Sequence, residues 1–202
     1  MTTVARTRRD LLTVSGPDAL AYLQGQLSQD VAALPVGGVA WTFVLAPQGK
    51  VDGWGRVHRT HDDRMEIDVD PGAGEAWAAR LQRFLLRTKA TIDLTPDVPV
   101  VAVRGAEVPG GLPCGWPGVT GSDVLGEPAA SGALDAVGTE AQEVDDAVLD
   151  GMRIRAGFPR WGAELTEDTI PASVGRWAID AGVSFTKGCY TGQELVARID
   201  SR

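Results

Sequence analysis

Residues 39–70, VAWTFVLAPQGKVDGWGRVHRTHDDRMEIDVD, carry the pattern that decides the fold. Val39–Ala46 and Val51–Thr60 are β-rich runs on either side of Pro47-Gln48-Gly49. Arg64–Asp70 alternates Met65, Ile67 and Val69 with polar neighbours after a turn at His61-Asp62-Asp63. Three strands joined by tight turns predict an antiparallel meander. Upstream, Leu11–Val14 reads as a strand, and Ser15-Gly16-Pro17-Asp18 as a helix start with proline and an acid in the first turn. The apolar face of that helix is Leu20, Leu23 and Leu27, weakened by Gly25. Downstream, Glu75–Lys89 sets Trp77, Leu81, Phe84, Leu85 and Thr88 at helical spacing, with Arg80, Arg83 and Arg87 on the other faces. Strands follow at Ala90–Leu94 and Val98–Val103. Gly105–Gly138, rich in Gly, Pro and Ala, reads as degenerate strand and loop, and Glu143–Ala156 as a helix through Val144, Val148, Leu149 and Met152. Strands and helices out of βαβ order predict an α+β fold: antiparallel sheets with flanking helices.

At 202 residues the chain is one large domain or two interleaved lobes, with about 40–95 inserted between 1–39 and 96–202. Its 44% hydrophobic content suffices for a core. The net charge of −8 argues against a general phosphate-backbone binder, so no direct nucleic-acid contact is expected. No run of about 18 apolar residues is present, so no membrane span is expected. Nothing after Met1–Arg6 resembles an export signal, and the sparse cysteines fit the reducing cytoplasm. Two cysteines (Cys114 and Cys189) and two histidines (His58 and His61) are too few for a structural zinc site, and a cluster needs about four thiolates. No stably bound metal or cluster is expected.

The most unusual stretch is Lys187-Gly188-Cys189-Tyr190-Thr191-Gly192-Gln193-Glu194, followed by Leu195-Val196-Ala197-Arg198. Thr191 with Glu194 three residues on has the spacing of a capping box, which sets Cys189 just before a helix N-terminus. Lys187 adds a positive charge two residues away. Both favour thiolate over thiol, the condition for reactivity. Gly188 and Gly192 permit close backbone approach. The competing reading of Cys189 is a small buried hydrophobe. That is also the reading for Cys114, which has no neighbouring base or cation in sequence. Trp41, Trp54, Trp77, Trp116, Trp161 and Trp177 read as core aromatics, with Trp54 and Trp177 the best placed to stack on a ligand.

KGCYTGQE resembles the signature of the folate-binding YgfZ family, relatives of the glycine-cleavage T-protein, an aminomethyltransferase. The resemblance extends over Val14–Ala19 with Tyr22–Asp30, Pro47–Lys50, Arg80–Arg87, Arg155–Pro159 and Ile170-Pro171, in order along nearly the whole chain. It implies a folate-type pocket, with tetrahydrofolate as cofactor. It also implies an accessory role in iron–sulfur cluster assembly or repair, tRNA-modifying enzymes being among the clients. The partners implied are folate and iron–sulfur enzymes or assembly factors. The carried-over residues are Cys189 and Lys187 for the chemistry, and Tyr190, Gln193 and Glu194 for the cofactor. Ser173, Trp177 and Asp52 are further cofactor candidates. Ser173 stands where the family commonly has an acid; it can hydrogen-bond a pterin without a carboxylate's charge-assisted grip. Asp52 is the only acid after the Gly49 turn and stands one position out of register with the acid of T-proteins, which disfavours aminomethyl transfer. The resemblance implies that the family's C-terminal barrel is absent, which would leave an uncapped face open to self-association. Two alternatives remain: aminomethyltransferase-like one-carbon transfer to tetrahydrofolate, and a truncated, non-catalytic interaction module.

Overall fold

The structure, a computed structural model, describes residues 1–127, 132, 137 and 141–200, the side chains of 199 and 200 excepted. The chain forms two compact units, one of residues 10–96 and 160–202, the other of residues 1–9 and 97–159.

The larger unit is built on the expected meander. Strands β2 (Val39–Leu45), β3 (Val51–His61) and β4 (Arg64–Val69) pair antiparallel, and residues 10–15 of β1 (Thr3–Ser15) add to β4. One sheet face carries Leu12, Val14, Val44, Val57, Met65, Ile67 and Val69. It packs with Tyr22 and Leu23 of α1 (Ala19–Gln26) and Trp77 and Leu81 of α2 (Gly74–Gln82). Trp77 lies so close over β3 that a Cβ on Gly53 would stand 2.1 Å from its indole nitrogen.

The opposite face is also buried. The register sets Trp41 beside Arg56, Phe43 beside Trp54, and Arg56 beside Asp68. Trp41 stacks on Trp54 at 5.1 Å, and the Arg56 guanidinium lies 5.4 Å from the Trp41 ring centre. Arg56 grips Asp68 with two hydrogen bonds, at 2.9 and 3.1 Å, and both side chains are almost wholly excluded from solvent. Helix α4 (Arg176–Gly182) covers this face. A Cβ on Gly182 would collide with Trp54 and Phe43, at 2.6 and 2.9 Å, so only glycine lets the helix seat here.

Three expectations are corrected. α2 ends at Gln82 rather than Lys89: the Phe84 and Leu85 amides bond to carbonyls three residues back, and Arg87 turns left-handed at φ 62°. Asp18 accounts for this, since its carboxylate accepts from the Lys89 N–H while its own amide donates to the Lys89 carbonyl, drawing the chain back to the start of α1. The strands expected at 90–94 and 98–103 are one strand, β5 (Thr91–Arg104), passing through Pro96 and a left-handed Asp97. The strand expected at 11–14 is the end of the longer β1.

In the smaller unit, β5 from Val100 pairs with β7 (Gly121–Leu125), which pairs with β6 (Leu112–Pro113), and the first residues of β1 pair with β8 (Gln142–Glu143). Val4, Val101, Val103, Val108 and Val124 form its core. α3 (Asp146–Arg155) starts three residues later than expected, because the Asp145 carboxylate caps it by accepting from the Val148 N–H. Val144 therefore precedes the helix and Val148 is exposed, leaving Leu149 and Arg153 as the buried positions. The expected irregular stretch yields the two short strands β6 and β7; most of 128–138 lies outside the described residues. Among the described residues no helix is long and apolar enough to cross a membrane.

Candidate functional site

The signature lies in the larger unit, between α4 and α5 (Gln193–Asp200), and is stitched to the chain leaving α1. The Lys187 ammonium donates to three backbone carbonyls: Gln24 at 2.6 Å, Leu27 at 2.7 Å and Gln29 at 2.9 Å. These stand at the C-terminus of α1, where unsatisfied carbonyls attract a cation. Around them, Thr191 N–H donates to the Gly25 carbonyl, Ser184 N–H to the Ser28 carbonyl, and the Gln29 amide to the Ala181 carbonyl. Tyr190 lies 5.0 Å from the ammonium by its ring centre. Burial pulls the Lys187 pKa down to about 8, opposed by the charge of Asp30, and pushes the Tyr190 phenol up to about 12. Lys187 is thus a clamp: its three protons are committed to carbonyls.

A second attachment uses the glycines. Gly49, at φ 80° in the β2–β3 turn, and Gly192, at φ 82°, face each other. A Cβ on Gly192 would stand 2.6 Å from the Ala46 carbonyl oxygen, and one on Gly49 would stand 2.5 Å from Leu195 Cβ. Close approach at Gly192 matches the sequence reading, whereas a Cβ on Gly188 would meet nothing within 4 Å. The hairpin turn is held in its turn by Lys50, paired with Asp168 at 2.6 Å, and by the Val51 N–H donating to the Thr169 carbonyl.

Cys189 is exposed at the tip of this doubly held loop, so the buried-hydrophobe reading fails for it; Cys114 is buried, as expected. Helix α5 begins at Gln193, leaving Tyr190–Gly192 between the thiol and the helix. The expected Thr191–Glu194 box is replaced by a bond from Tyr190 N–H to Gln193 Oε1, and Glu194 projects to solvent. Trp177 on α4 is half-buried and meets Trp54 edge-on at 6.2 Å. Ser173 lies on the 3₁₀ turn Pro171–Val174, is exposed, and donates to the Ile170 carbonyl. Asp52 is neither a free acid nor a solvated one: Arg80 Nε donates to it at 3.0 Å. The same guanidinium donates to Gln26 Oε1 and to the Leu45 carbonyl.

Sequence reasoning did not assign roles to Gln24, Leu27 and Gln29, whose carbonyls receive Lys187, or to Arg80, which joins α1, β2 and β3. The polar run Gln24-Gly25-Gln26 closing an apolar helix was the available signal for the first group. Arg80 had none, because its partners are distant in sequence.

No family model matches the chain. An uncharacterised protein of Haemophilus influenzae is 28% identical over 199 residues, covering 98% of this chain and 69% of that protein. The tRNA-modifying protein YgfZ of Sodalis glossinidius is 28% identical, and that of Serratia proteamaculans 25%, each over 95% of this chain. The chain spans 65% and 64% of the length of these two relatives. Among solved structures, the glycine cleavage system aminomethyltransferase T of Bartonella henselae superimposes with a TM-score of 0.75 at 17% identity, over 98% of this chain and 64% of that one. Relatives matched along nearly the full chain, a shared fold and the KGCYTGQE loop agree: the chain is similar to the YgfZ proteins and has a T-protein-like fold.

Proposed function

We propose that the chain serves tRNA modification, the activity in its relatives' name, as a tetrahydrofolate-dependent accessory protein. In this reading it supports iron–sulfur cluster assembly or repair in client enzymes of the cytoplasm, through Cys189. The observation that carries the reading is the exposure of that thiol on a loop fixed from two sides, by Lys187 on α1 and by Gly192 on the hairpin. One thiolate ligates an accessible iron of a partner's cluster and releases it again, while a resident cluster needs about four.

The residues present suit a folate in part. Tyr190 and Trp177 offer half-buried aromatic surface for a pterin, and Glu194 an exposed carboxylate for its amino and ring N–H groups. Ser173 keeps an exposed hydroxyl, and Gln193 keeps its amide N–H₂ beside the oxygen that Tyr190 engages. Asp52 is held by Arg80 through one oxygen, a pairing that supports a structural role for it and favours the accessory reading over one-carbon transfer. Tetrahydrofolate, when bound, supplies the nitrogens that carry one-carbon units. These residues of the chain would hold the ring, with Lys187 fixing the loop that carries Tyr190 and Gln193.

Two measurements test the proposal. In cells lacking the protein, the wild-type chain is expected to restore the nucleosides made by iron–sulfur tRNA-modifying enzymes, and Cys189→Ala to restore a small fraction of them. Calorimetry of the purified chain with tetrahydrofolate is expected to show saturable binding that Glu194→Gln weakens. Full rescue by Cys189→Ala would remove the thiol from the proposal, and absence of any binding heat would remove the cofactor.

A further inference from the structure

We infer that the turn following α2, residues 83–89, is an RNA-docking surface. Four of the chain's nineteen basic residues, Arg80, Arg83, Arg87 and Lys89, fall in the stretch 76–92, which contains no Asp or Glu, in a protein of net charge −8. Arg80 is spent on Asp52, Gln26 and Leu45. Arg83, Arg87 and Lys89 are exposed, and none of their side chains has an ion pair or hydrogen bond among the described residues. Elsewhere in the larger unit, exposed cations such as Lys50, Arg64 and Arg176 are paired with acids. An unpaired trio is therefore a local exception.

The apolar groups on the same turn point to RNA. Phe84 is 41% exposed and Leu86 85% exposed. The Arg80 guanidinium lies 4.5 Å from the Phe84 ring centre, closing one face of the ring. Hydrogen bonds from Phe84, Leu85 and Thr88 to carbonyls three residues back keep the turn compact, and Arg87 is carried outward on a left-handed backbone. Cations for phosphates around an exposed aromatic edge make the arrangement by which proteins hold unpaired RNA bases. Asp18 meets the turn at the Lys89 backbone N–H and pairs with none of the three cations. The net charge argues against a general nucleic-acid binder, but it averages over the whole chain, and the stretch 76–92 is locally positive. Preferring RNA to an acidic protein rests on the tRNA-modification reading above; the thiol has no part in it.

The test is fluorescence anisotropy with labelled bulk tRNA. Three phosphate contacts predict a salt slope of about −2, so raising salt from about 50 to about 200 mM should weaken binding roughly 20-fold. The triple change Arg83→Gln, Arg87→Gln, Lys89→Gln should abolish binding. Phe84→Leu, which keeps apolar bulk and removes the ring, should weaken it about 5-fold or more. Cys189→Ala should leave it unchanged, which separates this inference from the thiol reading. Absence of tRNA binding at low salt overturns the inference, as does binding that survives the triple change. Equal competition by polyglutamate, with no effect of Phe84→Leu, also overturns it and assigns the turn to an acidic protein.

Discussion

Asp68→Ala is expected to be the most damaging single change in the larger unit, lowering its stability by about 3–5 kcal/mol. The reason is asymmetry. Arg56 and Asp68 form a two-bond pair between β3 and β4, with 1% and 2% of their side chains exposed. Removing the carboxylate leaves a guanidinium under Trp41 with no water to take its place. Replacing both partners with apolar residues, Arg56→Met with Asp68→Leu, removes the charge and the need for it together, so the double variant should regain most of the loss. Urea unfolding of the two singles and the double closes the cycle. A double variant no better than Asp68→Ala would mean that the pair is not what holds this face of the sheet.

Lys187→Met is expected to cost about 2–4 kcal/mol and to act locally. Three carbonyls at the end of α1 lose a charged donor, and an orphaned acceptor costs about 1–3 kcal/mol where water cannot reach it. Protection of the amides of Ser184 and Thr191, which bond to Ser28 and Gly25, should fall in hydrogen exchange before that of β3 and β4. The clamp also has a pH signature. The folded-state pKa is about 8, below the ordinary 10.5, because burial disfavours the charge. Between those values the unfolded chain keeps a proton that the folded chain has released, so stability gains from this group as pH rises from about 8 to 10.5. The burial penalty is present in full below about pH 8. Lys187→Met should therefore lose the rise with pH. An unchanged pH profile in the variant would assign that titration elsewhere.

The meander was legible because its strands alternate or run apolar between strong turn residues, so Pro47-Gln48-Gly49 and His61-Asp62-Asp63 mark its corners. The early end of α2 was not legible. Its helical spacing continues to Thr88, and what breaks it is Asp18, remote in sequence, binding the backbone of Lys89. Burial of both sheet faces was also hidden, since Arg56 and Asp68 read as polar, outward positions until the register places them against each other. At the site, the loop residues around Cys189 suggested an accessible thiol ahead of a helix, and Cys189 is exposed before α5. The orientation of Lys187 could not follow from its being two residues from Cys189, because a long flexible stem is directed by the acceptors that fold around it. Asp52 was read as out of register with the T-protein acid, and the guanidinium that occupies it comes from α2.

The clamped loop presents Cys189 to solvent, while Cys114 is sealed in the smaller unit. Iodoacetamide labelling of the native protein, followed by peptide mass analysis, reads both thiols in one experiment. Rapid modification is expected at Cys189, with Cys114 modified only after unfolding in denaturant. A native protein in which Cys189 resists the reagent, or in which the two thiols react at the same rate, would contradict it.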